Sequence, residues 1–185
     1  MDKEKLWRKC VEFHGHSCGG LTIGYKAALY AIDLLDLSLN DKDSIGCISS
    51  DEEIVCIAEN DACGCDAIQV ILGCSAGKGN LLFHMRGKQA FSIYNRKTGK
   101  SVRLVLKPKP EGLQKGQSFE YYQSLEPEEM FDVKEAKIPL PTEAMHFDSQ
   151  PCSVCGEITG ENWMRVMNGK MVCLDCFEIY DRFNV

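Results

Sequence analysis

The segment EFHGHSCGGLTIGYKAA, residues 12–28, places two histidines and a cysteine at alternate positions, ahead of a glycine pair and an apolar stretch. In an extended chain, residues two positions apart lie on one face, so His14, His16 and Cys18 would face the same side. The glycine pair would let a ligand or a second backbone approach closely. This pattern indicates a site for a soft metal ion or a reactive thiol.

The stretch that follows this segment predicts a helix. In LTIGYKAALYAIDLL, residues 21–35, apolar side chains recur at helical spacing, and small residues allow close packing. Cys18 would then precede a helix N-terminus, where the helix dipole favours a thiolate over a thiol. A plainer interpretation stays open, in which one histidine caps the helix, the other is hydrogen-bonded in the core, and Cys18 is a small buried side chain.

The cysteine content is unusual, because the 185 residues include 11 cysteines. No apolar run approaches the roughly 20 residues that cross a bilayer, and the opening MDKEKLWRKC lacks the apolar centre of a signal peptide. We therefore expect a cytoplasmic protein without membrane association, in a reducing compartment where cysteines bind metal more often than they form disulfides. The net charge of −6 and the lack of basic runs argue against a nucleic-acid partner.

Four of the cysteines form two Cys-x2-Cys pairs near the end of the chain. Cys152 and Cys155 form the first pair, and Cys173 and Cys176 form the second. Two such turns can direct four thiolates at one tetrahedral Zn²⁺, and four protein ligands leave no open coordination position. The sequence therefore predicts a structural zinc that the tail needs in order to fold.

Other residues of the tail predict its shape. The Asn168-Gly169 pair is typical of a two-residue hairpin turn, and LDCFEIYDRF, residues 174–183, predicts a helix beginning at the second cysteine pair. These elements are expected of a treble-clef or ribbon-like finger. Acidic side chains outnumber basic ones in residues 152–185, which favours contact with protein, or support of a neighbouring domain, over nucleic-acid binding.

Between the two cysteine sets, the pattern alternates strands and helices. The predicted elements are a short strand within residues 40–49, a strand over 52–59, a helix over 61–74 capped by Asp61, a three-strand meander within 81–107, and one or two short helices within 116–141. We therefore expect an α+β core domain over residues 1–147 and a zinc finger over 148–185.

Two further segments carry chemically active side chains. The predicted second helix begins with Cys63 and Cys65, and the glycine-rich loop GCSAGKGN follows it with Cys74 and Lys78. A lysine in this loop could stabilise a thiolate or bind an anion such as a carboxylate, although the loop lacks the spacing of a nucleotide-binding P-loop. Because residues two apart on a helix point about 200° apart, we rank Cys63 above Cys65 as a ligand.

Taken together, these segments resemble the FmdE family, which is named for the FmdE component of molybdenum formylmethanofuran dehydrogenase. The resemblance rests on FHGHSCGGLTIGYKAA, DACGCDAIQVILGCSAGKGNL and GKQAFSIYNRKTGKSVRLVL, together with a terminal zinc finger that some members carry. It implies a thioredoxin-like α+β core whose mixed sheet is flanked by helices, a homodimer, and a metal-binding active site in the segment with histidine and cysteine. The residues that match the family's motif positions are His16, Cys18, Cys63, Cys74 and Lys78, and His14 accompanies them.

This chain departs from the family at two positions. The family often has proline where Gly19 stands and an apolar residue where Cys65 stands, so Cys65 is an additional thiol. The candidate ligands of a second metal site, for zinc or another transition metal, are His14, His16, Cys18, Cys63, Cys65 and Cys74.

The sequence leaves several functions open. The dehydrogenase chemistry resides on other polypeptides, and this chain has neither a molybdopterin pattern nor the closely spaced cysteine run of an iron-sulfur cluster. We predict a metal-binding accessory protein of anaerobic one-carbon metabolism that could dock on a molybdenum-dependent oxidoreductase or another protein. One alternative is a metal-dependent enzyme acting on a small carbonyl compound, with Cys18, Cys63 and Lys78 as catalytic candidates.

Another alternative is a thiol redox protein that pairs Cys63 with Cys65, or Cys18 with Cys74. The coordination number of the second metal site separates the accessory and enzymatic hypotheses. Three protein ligands and a water would favour catalysis, whereas four protein ligands would favour storage or structure.

Overall fold

The computed structural model describes residues 2–37, 48–112 and 116–183. The chain divides into two compact units, residues 1–143 and residues 144–185. The sequence places this boundary between residues 147 and 148.

The first unit alternates helices with the strands of one sheet. Its elements in chain order are α1 (Lys3–His14), α2 (Gly19–Leu34), β1 (Ile54–Ala58), α3 (Gly64–Leu72), β2 (Leu81–Phe83), β3 (Ala90–Asn95), β4 (Ser101–Leu106), α4 (Ser118–Ser124), α5 (Pro127–Met130) and β5 (Phe131–Lys134).

The five strands form one mixed sheet in the order β2-β1-β3-β4-β5. β1 is parallel to β2 and antiparallel to β3, and β3, β4 and β5 are antiparallel to their neighbours. α3 is the crossover helix between the two parallel strands, as a parallel connection requires. The predicted α+β class, with a mixed sheet and a thioredoxin-like core, is confirmed.

The predicted meander within residues 81–107 is wrong in one strand. β3 and β4 form the expected hairpin, but β2 pairs with β1 on the opposite side of β3. The reason lies in β1, whose five residues are all buried, as in a central strand with neighbours on both edges. The two predicted short helices are α4 and α5, and the short strand predicted within residues 40–49 falls largely outside the described residues.

α2 is the central helix of the first unit and is buried along most of its length. It packs against α1, α3, α4 and β4. Its closest approach is to α3, because a Cβ atom added at Gly24 would overlap the Gly64 carbonyl oxygen. Glycine at both positions therefore lets the backbones of α2 and α3 touch, and this contact brings the first turns of the two helices together.

α1 was not predicted from the sequence. Asp2 caps its N-terminus by accepting a hydrogen bond from the Lys5 amide at 3.0 Å. Gly15 ends the helix in the left-handed conformation, with φ of 89°. The segment around His14 is therefore not extended, as the alternate spacing suggested, and helix geometry decides which of its side chains come together.

The predicted cap of α3 is also wrong. The helix begins at Gly64 with Cys63 as its N-cap residue, whereas Asp61 lies two positions earlier and is exposed. A turn intervenes, in which the side chain of Asn60 accepts a hydrogen bond from the Ala62 amide at 3.1 Å. Because Asn60 organises this turn, the helix starts later than the sequence pattern suggested.

The second unit contains two hairpins. They are formed by β6 (Ser149–Pro151) with β7 (Ile158–Gly160), and by β8 (Met164–Met167) with β9 (Lys170–Cys173). Asn168 and Gly169 connect β8 to β9 with φ angles of 50° and 77°. The predicted two-residue turn is confirmed, and the unit is ribbon-like.

The helix predicted over residues 174–183 is wrong. A single turn follows Cys173, and the segment beyond it has no regular structure. Its apolar residues Ile179, Tyr180 and Phe183 are 81%, 86% and 82% exposed. A helix of this length needs an apolar surface to pack against, and within the described residues this segment has none.

In the described part of the chain, no helix combines the length and the apolar character that a membrane span requires.

Candidate metal centres

A group of possible metal ligands lies where the ends of three helices meet. His14 is the last residue of α1, Cys18 is the N-cap of α2, and Cys63 is the N-cap of α3. One ligand atom of each residue lies within 4.8 Å of the other two, and all three residues are partly exposed. His14 Nε2 is 3.8 Å from Cys18 Sγ. We call these three residues the His/Cys site.

Asp66 orients the imidazole of His14. Its Oδ2 atom is 2.7 Å from His14 Nδ1, and its Oδ1 atom accepts a hydrogen bond from Gln69 Nε2 at 3.3 Å. A carboxylate at one ring nitrogen fixes the tautomer of a histidine and leaves the other nitrogen to bind metal. His14 would therefore bind through Nε2, which is the nitrogen that faces Cys18.

Backbone and thiol groups surround the two sulfur atoms. The amide of Leu21, in the first turn of α2, donates to Cys18 Sγ at 3.3 Å. Partial burial raises the pKa of the Cys63 thiol, and the neighbouring Cys18 raises it further. Binding of a divalent cation would reverse this preference, because a coordinated thiol loses its proton.

Gly20 makes room for the two cysteines. A Cβ atom at this position would lie 3.1 Å from Cys63 Cβ and 3.4 Å from Cys63 Sγ. A larger residue would therefore press on Cys63, so the glycine permits the close approach that the sequence indicated.

The donor atoms fit a soft or borderline divalent ion. Cysteine sulfur and histidine nitrogen are ligands that zinc prefers, and three protein ligands are typical of sites that keep one position open. Among the described residues, no fourth histidine, cysteine or carboxylate side chain joins the group. The His/Cys site therefore has the composition of a three-ligand centre.

His16 lies beside the His/Cys site and is exposed. Its ring centroid is 4.5 Å from that of His14, with the ring planes tilted by 36°. It stands two residues beyond the end of α1, so it is not placed with the three ligand atoms.

The remaining predicted residues lie in other surroundings. Cys65 Sγ donates to the Asn60 carbonyl at 3.4 Å, and burial raises the pKa of this thiol to about 11. Cys74 Sγ donates to the Ile54 carbonyl at 3.4 Å, and burial raises its pKa to about 12. Lys78 Nζ donates to the Ser49 carbonyl at 2.8 Å. The structure thus brings together His14, Cys18 and Cys63 but not these three side chains.

Sequence reasoning missed Asp66. The residue stands three positions after Cys63, in the first turn of α3, so it shares a helix face with that cysteine. This spacing was a usable signal, but its connection to His14 spans 52 residues and depends on how α1 meets α3.

The four cysteines of the second unit form a separate group. All four sulfur atoms lie within 4.8 Å of one another, and Cys155 Sγ is 3.9 Å from Cys173 Sγ. Tetrahedral Zn²⁺ with bonds of about 2.3 Å separates its sulfur ligands by about 3.8 Å. The group fits a zinc finger.

Backbone amides prepare one of these thiols for metal binding. The N–H groups of Cys155, Cys173 and Val154 lower the pKa of Cys152 to about 6. Val154 N and Cys173 N lie 3.4 Å and 3.3 Å from Cys152 Sγ. Cys152 is therefore disposed to bind metal as the thiolate near neutral pH.

Replacing Asp66 with asparagine is expected to weaken metal binding at the His/Cys site by about 10- to 100-fold, because the orienting carboxylate is lost. Chelator competition on anaerobically purified protein measures this affinity. The matched control is Asp61→Asn, which changes an exposed carboxylate that does not bond to His14. Equal affinity in Asp66→Asn and the unaltered protein would show that the carboxylate does not orient the ligand.

Three similarities to known proteins agree with this architecture. Residues 13–143 match the family model described as FmdE, molybdenum formylmethanofuran dehydrogenase operon. The chain is 28% identical over 204 residues to a probable S-adenosyl-L-methionine-binding protein of Archaeoglobus fulgidus, across 95% of this chain and 53% of that protein. It thus spans about half the length of the curated relative it matches.

The third similarity is to a crystal structure of an FmdE-like protein of tungsten formylmethanofuran dehydrogenase from Syntrophus aciditrophicus. The TM-score is 0.65, with 23% identity, and the match covers 94% of this chain and 91% of that chain. At this identity the match shows a shared fold.

Proposed function

Because this chain belongs to the FmdE family, we propose that it is a metal-binding accessory protein with one exchangeable transition-metal ion and one structural Zn²⁺. The His/Cys site would hold the exchangeable ion, and the four cysteines of the tail would hold the zinc. The observation that carries this proposal is the convergence of His14, Cys18 and Cys63, with Asp66 fixing the imidazole.

The three-ligand composition supports presentation of the ion to another molecule. A fourth coordination position is open to a ligand from solvent, a small molecule or a partner protein. We propose that the protein acts in the cytoplasm as a homodimer and docks on a molybdenum-dependent oxidoreductase or another protein of one-carbon metabolism. The family name supports this choice of partner.

A second candidate function is a metal-dependent enzyme acting on a small carbonyl compound. The open position favours it, since a bound ion there would polarise a carbonyl oxygen or activate water. His14, Cys18 and Cys63 would hold the ion, and Asp66 would keep the imidazole oriented. Lys78, the predicted anion-binding group, bonds instead to the Ser49 carbonyl.

The predicted redox pairs receive less support from the geometry. The sulfur of Cys65 is directed at the Asn60 carbonyl, and that of Cys74 at the Ile54 carbonyl. Each of these thiols is buried, so we do not propose thiol exchange through either one.

Replacing Cys18 with serine is expected to lower the metal content from about two ions per chain to about one, because one of three ligands is lost. Elemental analysis of anaerobically purified protein measures this content. Cys65→Ser is the matched control, since a serine hydroxyl can still donate to the Asn60 carbonyl and the tail is untouched. Unchanged metal content in Cys18→Ser would refute the His/Cys site.

Cobalt substitution then separates the two candidate functions. Visible spectra of the cobalt form report its coordination, and a shift on addition of a small aldehyde indicates binding at the open position. The enzymatic candidate requires both this shift and turnover of the aldehyde. The accessory proposal is contradicted if the aldehyde is consumed.

A further inference from the structure

We propose that a cavity between α1, α2 and the α4–α5 turn binds a small organic monocarboxylate with an apolar body. The cavity has a volume of about 290 Å³. Its residues on α1 and α2 lie roughly 10–16 Å along the helix axes from His14 and Cys18. This site is distinct from the His/Cys site and does not rest on the proposed function.

The interior of the cavity contains a buried ammonium group. Lys26 lies in the middle of α2 and is 9% exposed. Its Nζ atom donates to the Leu125 carbonyl at 2.6 Å and lies 3.5 Å from the Gln123 carbonyl. Within the described part of the chain, no carboxylate pairs with this lysine.

A buried lysine without a carboxylate partner is uncommon, because removing a charge from water is costly unless an opposite charge compensates it. An ammonium group has three N–H donors, and only two carbonyl oxygens approach Lys26. One donor is therefore available to a ligand. A carboxylate would both accept this hydrogen bond and neutralise the buried charge.

The walls of the cavity are largely apolar. Trp7, Tyr25, Leu29 and Pro127 contribute rings and aliphatic surface. The hydroxyl of Tyr25 is already used, since it donates to the Lys3 carbonyl at 2.7 Å. These walls would hold the hydrocarbon part of a ligand out of water.

Trp7 adds a second donor at the cavity. Its ring contacts Tyr25 edge-on at 5.2 Å and stacks on Phe119 at 6.1 Å, which fixes the indole in place. The indole N–H donates to no group in the described residues. A carboxylate has two oxygens, so it can accept from this N–H as well as from Lys26.

The rim of the cavity favours a ligand with one negative charge. Lys3 and Glu4 carry opposite charges there, and Glu126 adds a second carboxylate. A dicarboxylate or a phosphate would bring further negative charge towards Glu4 and Glu126 without a second interior cation. The volume is close to the lower end of the range for ligand pockets, which suits a chain of about six carbon atoms.

Fluorescence of Trp7 provides a direct test. The chain contains two tryptophans, so a Trp163→Phe variant of the full-length protein leaves Trp7 as the single fluorophore. Hexanoate is expected to change its emission saturably, and hexan-1-ol and adipate are expected to bind at least about tenfold more weakly. Absence of a saturable change with hexanoate, or equal affinity for hexan-1-ol, would overturn the proposal.

A variant pair in the same background locates the charge that recognises the ligand. Lys26→Met keeps much of the side-chain length and is expected to lose at least about tenfold in affinity for hexanoate. Lys3→Met, at the rim, is the matched control and is expected to bind hexanoate normally. Normal hexanoate binding by folded Lys26→Met would refute the proposal, and the comparison with hexan-1-ol decides the matter if this variant does not fold.

Discussion

Replacing Cys173 with serine is expected to unfold residues 144–185 and to release about one zinc ion, while the first unit keeps its fold and its metal. The buried apolar cluster of the tail consists of Cys152, Met164, Val172 and Cys173. Two of these four residues are themselves metal ligands, so little apolar core remains without the ion. Coordination by structural zinc is worth on the order of 10 kcal/mol or more, which far exceeds what such a cluster supplies.

The measurement combines elemental analysis with limited proteolysis of the anaerobic protein. Rapid cleavage after residue 143 and one retained metal equivalent are expected for Cys173→Ser. Ser153→Ala is the matched control, because it changes an exposed residue of the first ligand pair's turn and removes no sulfur. A Cys173→Ser tail that resists protease and keeps its zinc would contradict the prediction.

Replacing Gly24 with alanine is expected to destabilise the first unit by about 2–4 kcal/mol and to abolish metal binding at the His/Cys site. The added Cβ would overlap the carbonyl oxygen of Gly64, and a backbone atom inside a packed helix cannot move aside as a side-chain tip can. Because Gly64 follows Cys63 directly, separation of the two helices would also move Cys63 from Cys18. Alanine's higher helix propensity, worth about 1 kcal/mol, opposes this effect but is smaller.

Urea denaturation gives the free energy of unfolding, and elemental analysis gives the metal content. Gly77→Ala is the matched control, since a Cβ atom there would meet no atom within 4 Å. A Gly24→Ala protein as stable as the unaltered one, with full metal content, would show that α2 and α3 can separate without cost.

Much of the fold was predictable because local patterns and tertiary packing agree. The apolar spacing of α2, the strand around Val55, the β3–β4 hairpin and the Asn168-Gly169 turn each appear where the sequence indicated. The tail helix failed for the opposite reason. Residues 174–183 have helical spacing, but within the described residues they have no apolar surface to pack against.

The ligands were harder to assign, because the sequence pattern does not report how a side chain is buried. Cys18, Cys63, Cys65 and Cys74 all stand at helix starts or in the following loop, yet only the first two come together. Local sequence could have indicated α1, since Asp2 and Gly15 are ordinary start and stop signals. The end of that helix is what selects His14 for the site and leaves His16 exposed.

The same placement determines how the protein would respond to losing its ion. His14, Cys18 and Cys63 belong to helix termini, which open at far lower free-energy cost than helix interiors. Fraying at these ends would leave the buried stretch from Leu21 to Ile32 and its contact with α3 undisturbed. Loading and unloading would thus be confined to a small, reversible local opening, which suits a carrier that must exchange its cargo many times without global refolding.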